Sequence, residues 1–174
     1  IGIGPGSAEL LTYRAGGLIH TADVILAPRS RISTSSLALD TVKPFLRDDH
    51  DIIEHVYAMN RDQSETVASW KEAAQKVINR IESGKSVAQI KLGDPLIYST
   101  SHYLLQELFG ALAPEHIHVV PGISAYQAAG ACFGESLAIQ EDRVTLMTAT
   151  DMDEVENALD NCETHVLYKA GRSL

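Results

Sequence analysis

The segment from Lys91 to Thr100, Lys-Leu-Gly-Asp-Pro-Leu-Ile-Tyr-Ser-Thr, carries the residues best placed to do chemistry. Asp94 stands between a glycine and a proline. Such a carboxylate can act in catalysis, or it can fix the turn by accepting hydrogen bonds from backbone amides. The residue types leave both roles open.

A basic loop, Arg29-Ser30-Arg31, follows the predicted strand 22–28. Guanidinium groups form charge-assisted bonds with carboxylates, so this loop could bind an acidic ligand, but a solvated polar loop has the same composition. The formal net charge of the chain is -9, which argues against a nucleic-acid partner held through phosphates.

Several common catalytic patterns are missing from the sequence. The opening glycines do not follow Gly-x-Gly-x-x-Gly, and the chain has neither a phosphate-binding loop of the Gly-Lys-Ser/Thr type nor a Gly-x-Ser-x-Gly elbow. Its histidines form no His-x-x-x-His pair on a predicted helix, so we predict no metal site. Cys132 and Cys162 lack metal-ligand spacing and are predicted to be buried thiols of a reducing cytoplasm.

The elements that must position these residues alternate along the chain. Apolar strands are predicted at 22–28, 51–57 and 86–92. Helical spacing indicates a first helix with Ser7 as its N-cap and further helices over 64–82 and 102–112, with Gly84 ending the helix 64–82. Strands that alternate with helices predict a parallel sheet covered on both faces. Asp94 then lies beyond the carboxyl end of a strand, where open α/β sheets bind ligands.

Two domains are predicted, an N-terminal α/β domain over 1–120 and the start of a second α/β domain over 121–174. The second part contains two predicted strands, 143–148 and 165–168, and about two helices, which are too few to close an independent core. Either this part docks on the first domain or the chain continues beyond Leu174. The sequence also opens in mid-pattern without Met, so we expect a fragment at its N-terminus. No apolar run of membrane-spanning length and no signal peptide occur, so we predict a cytoplasmic protein without a membrane partner.

Three ordered motifs carry a resemblance to a known family. Gly2-Ile3-Gly4-Pro5-Gly6 with Glu9-Leu10-Leu11-Thr12 resembles the opening of the tetrapyrrole methylases, the S-adenosylmethionine-dependent enzymes of corrin and sirohaem synthesis. Gly93-Asp94-Pro95 and Pro121-Gly122-Ile123-Ser124-Ala125 resemble two further signatures of that family, in the same order. Leu96-Ile97-Tyr98-Ser99-Thr100 is most similar to the branch that methylates C20 of precorrin-2.

The resemblance implies a two-domain α/β enzyme, usually a homodimer, that holds S-adenosylmethionine in a cleft and methylates a tetrapyrrole. It implies a set of residues that contact the methyl donor: Pro5, Leu92, Gly93, Asp94, Ile97, Tyr98, Ser99, Ser124, Ala125, Tyr168 and Lys169. With that substrate class, Arg29, Ser30 and Arg31 become candidates for binding its carboxylates. No catalytic residue is assigned, because methyl transfer from a sulfonium depends chiefly on positioning.

The implied reaction is methylation of C20 of precorrin-2 or of its cobalt-bearing counterpart, cobalt-factor II, and the sequence does not choose between them. A sibling methylase acting on uroporphyrinogen III or precorrin-4 would share the donor site. A non-catalytic ligand-binding α/β protein would keep the same loops without turnover.

Overall fold

A computed structural model describes residues 1–30, 35–57 and 63–172 of the chain. The chain divides into two compact units, Ile1–Ala125 and Tyr126–Leu174. Within the described ranges, every helix is too short or too polar to cross a membrane.

The first unit is built on a parallel sheet. Its strands are β1 (Val24–Arg29), β2 (Asp51–Val56) and β3 (Val87–Gln89), which lie in the order β2-β1-β3. The helices between and after them are α1 (Tyr13–Thr21), α2 (Leu37–Val42), α3 (Gln63–Glu82) and α4 (Ser101–Phe109). The predicted alternation of strands and helices around a parallel sheet is confirmed.

The central strand β1 is buried on both faces, which explains its apolar sequence. Ile25 and Ala27 of β1 belong to a core cluster with residues of α1 and α2, whereas Leu26 packs with residues of α3 and α4. Successive side chains of a strand point to opposite faces, so a strand covered on both sides reads as a continuous apolar run.

Strand β1 does not stop at Pro28, as the sequence predicted, but runs on to Arg29. Pairing of β1 with β3 ends at Leu26, whereas pairing with β2 continues to Arg29 opposite Val56. Beyond Leu26, the edge of β1 that faces β3 forms no further strand pairing within the described part of the chain. Pro28, which has no N–H to donate, is therefore tolerated there.

The first four residues extend the sheet beyond β3. Gly2 bridges Lys91 in parallel fashion and Gly4 bridges Gly93 in antiparallel fashion. The backbone nitrogen of Gly2 also donates to the carbonyl oxygen of Val120 at 2.8 Å. Segment 1–4 therefore lies between the continuation of β3 and Val120, and the backbone around Val120 forms no regular strand.

The first α-helix begins later than the sequence predicted. Ser7 was the expected N-cap, but its side chain makes no capping bond and precedes only a 3₁₀ turn, Ala8–Leu10. Thr12 caps α1 instead, since its hydroxyl accepts a hydrogen bond from the nitrogen of Ala15 at 3.1 Å. The extended backbone of Leu11 ends the 3₁₀ turn and allows Thr12 to start a new helix.

The second unit contains α5 (Ala125–Phe133), whose first residue is still counted in the first unit, then β4 (Val144–Thr148), α6 (Met152–Leu159) and β5 (Thr164–Tyr168). Strands β4 and β5 are parallel. Asp151 caps α6 by accepting from the nitrogens of Asp153 and Glu154. Cys162 is half-buried, but Cys132 is exposed, which corrects the prediction of two buried thiols. Cys132 lies in α5 two residues after buried Gly130, so its side chain projects from the opposite face of the helix.

Candidate functional site

Residues 92–99, here called the Gly-Asp-Pro loop, connect the continuation of β3 to α4. Gly93 has φ +70° and Tyr98 has φ +45°. Glycine adopts this left-handed region freely, whereas a tyrosine there is strained by about 1 kcal/mol. Strain of this kind persists where the surrounding structure imposes it, and it is frequent at functional sites.

Three glycines from distant parts of the sequence, Gly2, Gly93 and Gly122, meet backbone to backbone; we call them the glycine junction. A Cβ atom on Gly2 would lie 2.5 Å from the nitrogen of Gly122 and 2.8 Å from the carbonyl oxygen of Gly93. Neither distance is compatible with a side chain. The junction therefore joins the three motifs of the sequence, and only glycine fits at Gly2 and Gly122.

Asp94 uses both carboxylate oxygens to fix the backbone. Its Oδ1 accepts a hydrogen bond from the nitrogen of Leu96 at 2.8 Å, and its Oδ2 accepts one from the nitrogen of Gly122 at 3.1 Å. Of the two roles that the sequence left open, this geometry supports the structural one.

Gly93 presents open space on the side where a side chain would project. Its nitrogen donates to the carbonyl oxygen of Gly4 at 2.7 Å, so its backbone is held in place. A Cβ atom on Gly93 would meet no atom within 4 Å. A fixed backbone with free space beside it fits the close approach of a ligand.

The other residues of the first unit that are predicted to contact the methyl donor differ in their surroundings. Pro5 lies between Gly4 and Gly6, which have φ +74° and +123°. Leu92 packs against the core, so part of its side chain serves the fold. Ile97 is half-buried. The hydroxyl of Ser99 accepts from the nitrogen of Ser101 at 3.1 Å.

Ser124 and Ala125 stand where the third motif enters α5. Ser124 is buried, at 3% exposure, and Ala125 is exposed as the first residue of the helix. The N-terminal end of a helix carries partial positive charge, which favours an electron-rich group of a ligand at this end of α5.

Tyr168 and Lys169 belong to the second unit. Tyr168 is the last residue of β5, and its carbonyl oxygen accepts from the nitrogen of Ala149 at 2.7 Å. Lys169 follows with φ +60°. Lys169 therefore joins Gly93 and Tyr98 as a residue that is predicted to contact the methyl donor and has a left-handed backbone.

The basic loop is only partly described. Arg29 ends β1, and its Nε atom lies 3.8 Å from a carboxylate oxygen of Glu54 on β2. Both side chains are partly exposed, so this ion pair leaves the guanidinium accessible. Ser30 is exposed, and Arg31 lies outside the described residues.

Burial shifts the pKa values of several ionisable groups of the first unit, among them Lys91 and His55. Burial lowers the pKa of Lys91, whose Nζ donates to the hydroxyl of Thr100 at 3.0 Å. Burial, with a smaller effect of Lys76, lowers the pKa of His55. The sequence analysis included Lys91 and Thr100 in the segment best placed to do chemistry but gave neither residue a role; the available signal was a lysine directly after the apolar run of β3.

No described group of histidine, cysteine and acidic side chains is arranged to hold a metal ion. An apolar groove of about 350 Å³ runs along β3 and α4, with Val87, Leu104 and Ile117 among its lining residues. The predicted donor residues do not line this groove. The open space at Gly93, where the candidate site lies, is a separate feature from this groove.

The sequence of this chain is similar to those of known proteins. The family model for Tetrapyrrole (Corrin/Porphyrin) Methylases matches residues 1–174. The chain is 32% identical to the cobalt-precorrin-2 C(20)-methyltransferase of Salmonella typhimurium over 95% of this chain and 69% of that protein.

Solved structures share the fold. A cobalt precorrin-4 methyltransferase of cobalamin biosynthesis matches with a TM-score of 0.69 and 23% identity, over 98% of this chain and 67% of that one. A uroporphyrin-III C-methyltransferase from Thermus thermophilus, complexed with S-adenosyl homocysteine, matches with a TM-score of 0.59 and 21% identity, over 85% of this chain and 53% of that one.

The α/β architecture and the three joined motifs define a methylase of the tetrapyrrole type. The chain belongs to the tetrapyrrole (corrin/porphyrin) methylase family. The predicted family, its fold and its use of S-adenosylmethionine as methyl donor are confirmed.

Proposed function

We propose that this protein transfers a methyl group from S-adenosylmethionine to C20 of precorrin-2 or of cobalt-factor II in cobalamin biosynthesis. The observation that carries the proposal is the glycine junction, which joins the three family motifs around the open space at Gly93. The similarity to the Salmonella C(20)-methyltransferase supports the choice of position on the ring.

The residues of the first unit supply a rigid frame rather than reactive groups. S-adenosylmethionine supplies an electrophilic methyl on a sulfonium, so the protein must chiefly hold donor and acceptor in line. The backbone around Gly93 is fixed by its bond to Gly4, and Asp94 fixes the turn that follows. We propose that the predicted set contacts the donor: Pro5, Leu92, Gly93, Asp94, Ile97, Tyr98, Ser99, Ser124, Ala125, Tyr168 and Lys169.

The basic loop supports the substrate side of the proposal. Tetrapyrroles carry several carboxylates, and Arg29 keeps an accessible guanidinium at the carboxyl end of β1. This is the end of a parallel sheet at which α/β proteins bind ligands. Arg29, Ser30 and Arg31 are therefore proposed to bind substrate carboxylates.

Donor binding and methyl transfer are tested separately. Calorimetric titration with S-adenosylhomocysteine tests the donor site without a tetrapyrrole. Incubation of precorrin-2, or its cobalt form, with ¹³C-methyl-labelled S-adenosylmethionine tests the reaction, with the methylated carbon located by NMR. Label at C20 is expected. Donor binding without turnover on either substrate would favour a non-catalytic binding protein.

A sibling methylase acting on uroporphyrinogen III or precorrin-4 is the second candidate. It would share the donor-binding frame, and the sequence Tyr98-Ser99-Thr100 speaks against it, since siblings usually carry Phe-Gly or Tyr-Gly at the first two positions. Label in the same experiment at another ring carbon, or on uroporphyrinogen III alone, would establish the sibling activity.

Three further expectations belong to this proposal: a domain boundary before Pro121, a homodimer and a cytoplasmic location. Light scattering coupled to size-exclusion chromatography of the full-length protein tests the oligomeric state. A monomer that retains full activity would refute a functional dimer.

A further inference from the structure

Lys91 is a half-buried charged residue next to the core. It follows Ile90, which is fully buried, and precedes Leu92, which packs against the core. Its backbone is fixed on both sides of the side chain, because its nitrogen donates to the carbonyl oxygen of Ile1 and its carbonyl oxygen accepts from the nitrogen of Ile3, each at 2.9 Å. The side chain therefore starts from a rigid point.

The ammonium of Lys91 reaches across the Gly-Asp-Pro loop. Its Nζ donates to Oγ1 of Thr100 at 3.0 Å. Lys91 precedes the loop directly and Thr100 follows it directly, so this one hydrogen bond connects the two ends of residues 92–99.

The hydroxyl of Thr100 does not cap α4, because the backbone of Thr100 is already helical (φ -73°, ψ -8°) and the hydroxyl of Ser99 accepts from the nitrogen of Ser101 instead. Thr100 occupies the N-cap position of α4, where a threonine hydroxyl commonly accepts from a nitrogen of the first turn. Its side chain makes no such bond.

The position is electrostatically unfavourable for a cation. A helix N-terminus carries partial positive charge, and among the described residues Lys91 takes part in no ion pair. Burial further disfavours the charged form and lowers the pKa of Lys91. Without an ion pair, the described side-chain hydrogen bond of this ammonium is the one to Thr100, which connects the two ends of the loop.

We infer that Lys91, acting through Thr100, is a positioning residue that holds the Gly-Asp-Pro loop closed in the conformation required for donor binding. The inference rests on the proposed function of that loop as a donor site. The loop contains the strained backbone of Tyr98, and opening its ends would release that strain. A loop held closed in advance binds its ligand more tightly, because less ordering remains to be done on binding.

The test compares variants at both ends of the bond. Lys91→Met and Thr100→Val each remove it, and each is expected to weaken S-adenosylhomocysteine binding about tenfold, as for loss of one hydrogen bond to a charged group. The double variant should bind no more weakly than the weaker single variant, because both changes remove the same interaction. Lys91→Arg keeps a hydrogen-bond donor and Thr100→Ser keeps a hydroxyl acceptor, so each should retain most of the affinity for S-adenosylhomocysteine.

Lys85→Met is the matched control. Lys85 lies in the turn before β3, where its Nζ is 3.9 Å from a carboxylate oxygen of Asp51. Lys85→Met removes a lysine that lies close in sequence to Lys91 but outside the Gly-Asp-Pro loop. The affinity for S-adenosylhomocysteine should therefore not change.

Hydrogen exchange of the loop amides gives a readout that needs no ligand. Exchange over residues 92–99 should be faster in Lys91→Met and Thr100→Val than in the wild type and in Lys85→Met. If wild-type protein binds no S-adenosylhomocysteine, the proposed function fails while faster exchange still supports loop closure. If wild-type protein binds and both variants match it in affinity and exchange, or lose only thermal stability, the inference is overturned.

Discussion

The Oδ2 atom of Asp94 accepts a hydrogen bond from the backbone nitrogen of Gly122 at 3.1 Å, although the two residues lie 28 positions apart. This bond connects the Gly-Asp-Pro loop to the loop that enters α5. Both loops are proposed to contact the methyl donor, so one carboxylate sets the spacing between two parts of the site.

Removal of that carboxylate should affect stability and donor binding together. Asp94→Ala loses the acceptors for Leu96 and Gly122, so we expect the free energy of unfolding to fall by about 1–3 kcal/mol. We also expect weaker S-adenosylhomocysteine binding, with Asp94→Asn intermediate because it keeps one acceptor. Urea denaturation and calorimetry measure the two effects.

Asp142→Ala is the control for Asp94. Asp142 accepts from the nitrogen of Ile139 at 2.8 Å in a turn of the second unit, and its loss should reduce stability alone. Unchanged donor affinity in Asp94→Ala would contradict the proposed spacing role.

Gly93→Ala should weaken donor binding by more than tenfold, because its methyl group would project into the space proposed for the donor. Its left-handed backbone adds a general strain of about 1 kcal/mol. Gly84→Ala separates the two effects, since Gly84 has φ +80° and an equally open Cβ position in the turn after α3. Calorimetry should show normal affinity for Gly84→Ala, and equal affinity of both variants would refute the placement of the donor at Gly93.

Gly122→Ala should destabilise the first unit by about 2–4 kcal/mol, because its Cβ would lie 2.8 Å from the carbonyl carbon of Gly2 and the backbone would have to move. Gly17→Ala is the contrasting change. Gly17 lies within α1 with no atom near its Cβ position, so alanine should stabilise that helix by up to about 1 kcal/mol. Thermal and urea denaturation compare them, and a neutral Gly122→Ala would show that the junction is not close-packed.

Arg29→Ala should raise the KM for the tetrapyrrole about tenfold and leave the affinity for S-adenosylhomocysteine unchanged, since a charge-assisted bond to one substrate carboxylate is lost. Arg80→Ala is a suitable control, because Arg80 pairs with Asp51 at 2.8 Å at the opposite end of β2. Steady-state kinetics and calorimetry distinguish the outcomes. Equal weakening of both ligands would exclude a substrate-specific role.

Stability should fall as the pH drops through the ordinary histidine range because of His55. Its Nε2 lies 3.1 Å from the carbonyl oxygen of Ser69, to which it donates, and its Nδ1 faces Nζ of Lys76 at 3.3 Å. The ring is also packed edge-on against Tyr57, and Glu72 is the nearby acidic group. This arrangement requires the neutral ring.

Burial, followed by the charge of Lys76, lowers the pKa of His55 below its ordinary value of 6.5. The unfolded chain therefore binds the proton first, so stability is fully present above pH 6.5 and declines below it. Urea unfolding from about pH 8 to about pH 5.5 should show a shallower decline for His55→Gln than for the wild type. Identical slopes would exclude His55 as the source.

The fold followed from the sequence where local pattern and burial agree. The apolar run of β1 and the Gly84 stop after α3 needed only strand patterning and a helix C-cap. The start of α1 did not follow, because Ser7 and Thr12 are both good N-caps and the intervening 3₁₀ turn decides between them. Strand β1 passed through Pro28 because its pairing on one side had already ended, which is a tertiary fact.

The sequence predicted which motifs form the candidate site, but not the contacts that these motifs make with one another. The three glycine-containing motifs marked it, yet contacts among Gly2, Gly93 and Gly122 join positions that no local pattern relates. The Lys91–Thr100 bond is of the same kind, since nothing in the sequence shows that Thr100 forgoes capping.

The backbone construction of the glycine junction has a consequence for how the protein tolerates variation. Truncation to alanine, the usual way of locating a site, removes nothing where there is no side chain, and most of the junction's bonds join main-chain atoms. In a library that contains every substitution at each position, selection should therefore remove all substitutions of Gly2 and Gly122, even the smallest. Neighbouring positions should accept many residues. The site would then be revealed by positions that tolerate no added side chain, rather than by positions whose side chain is needed.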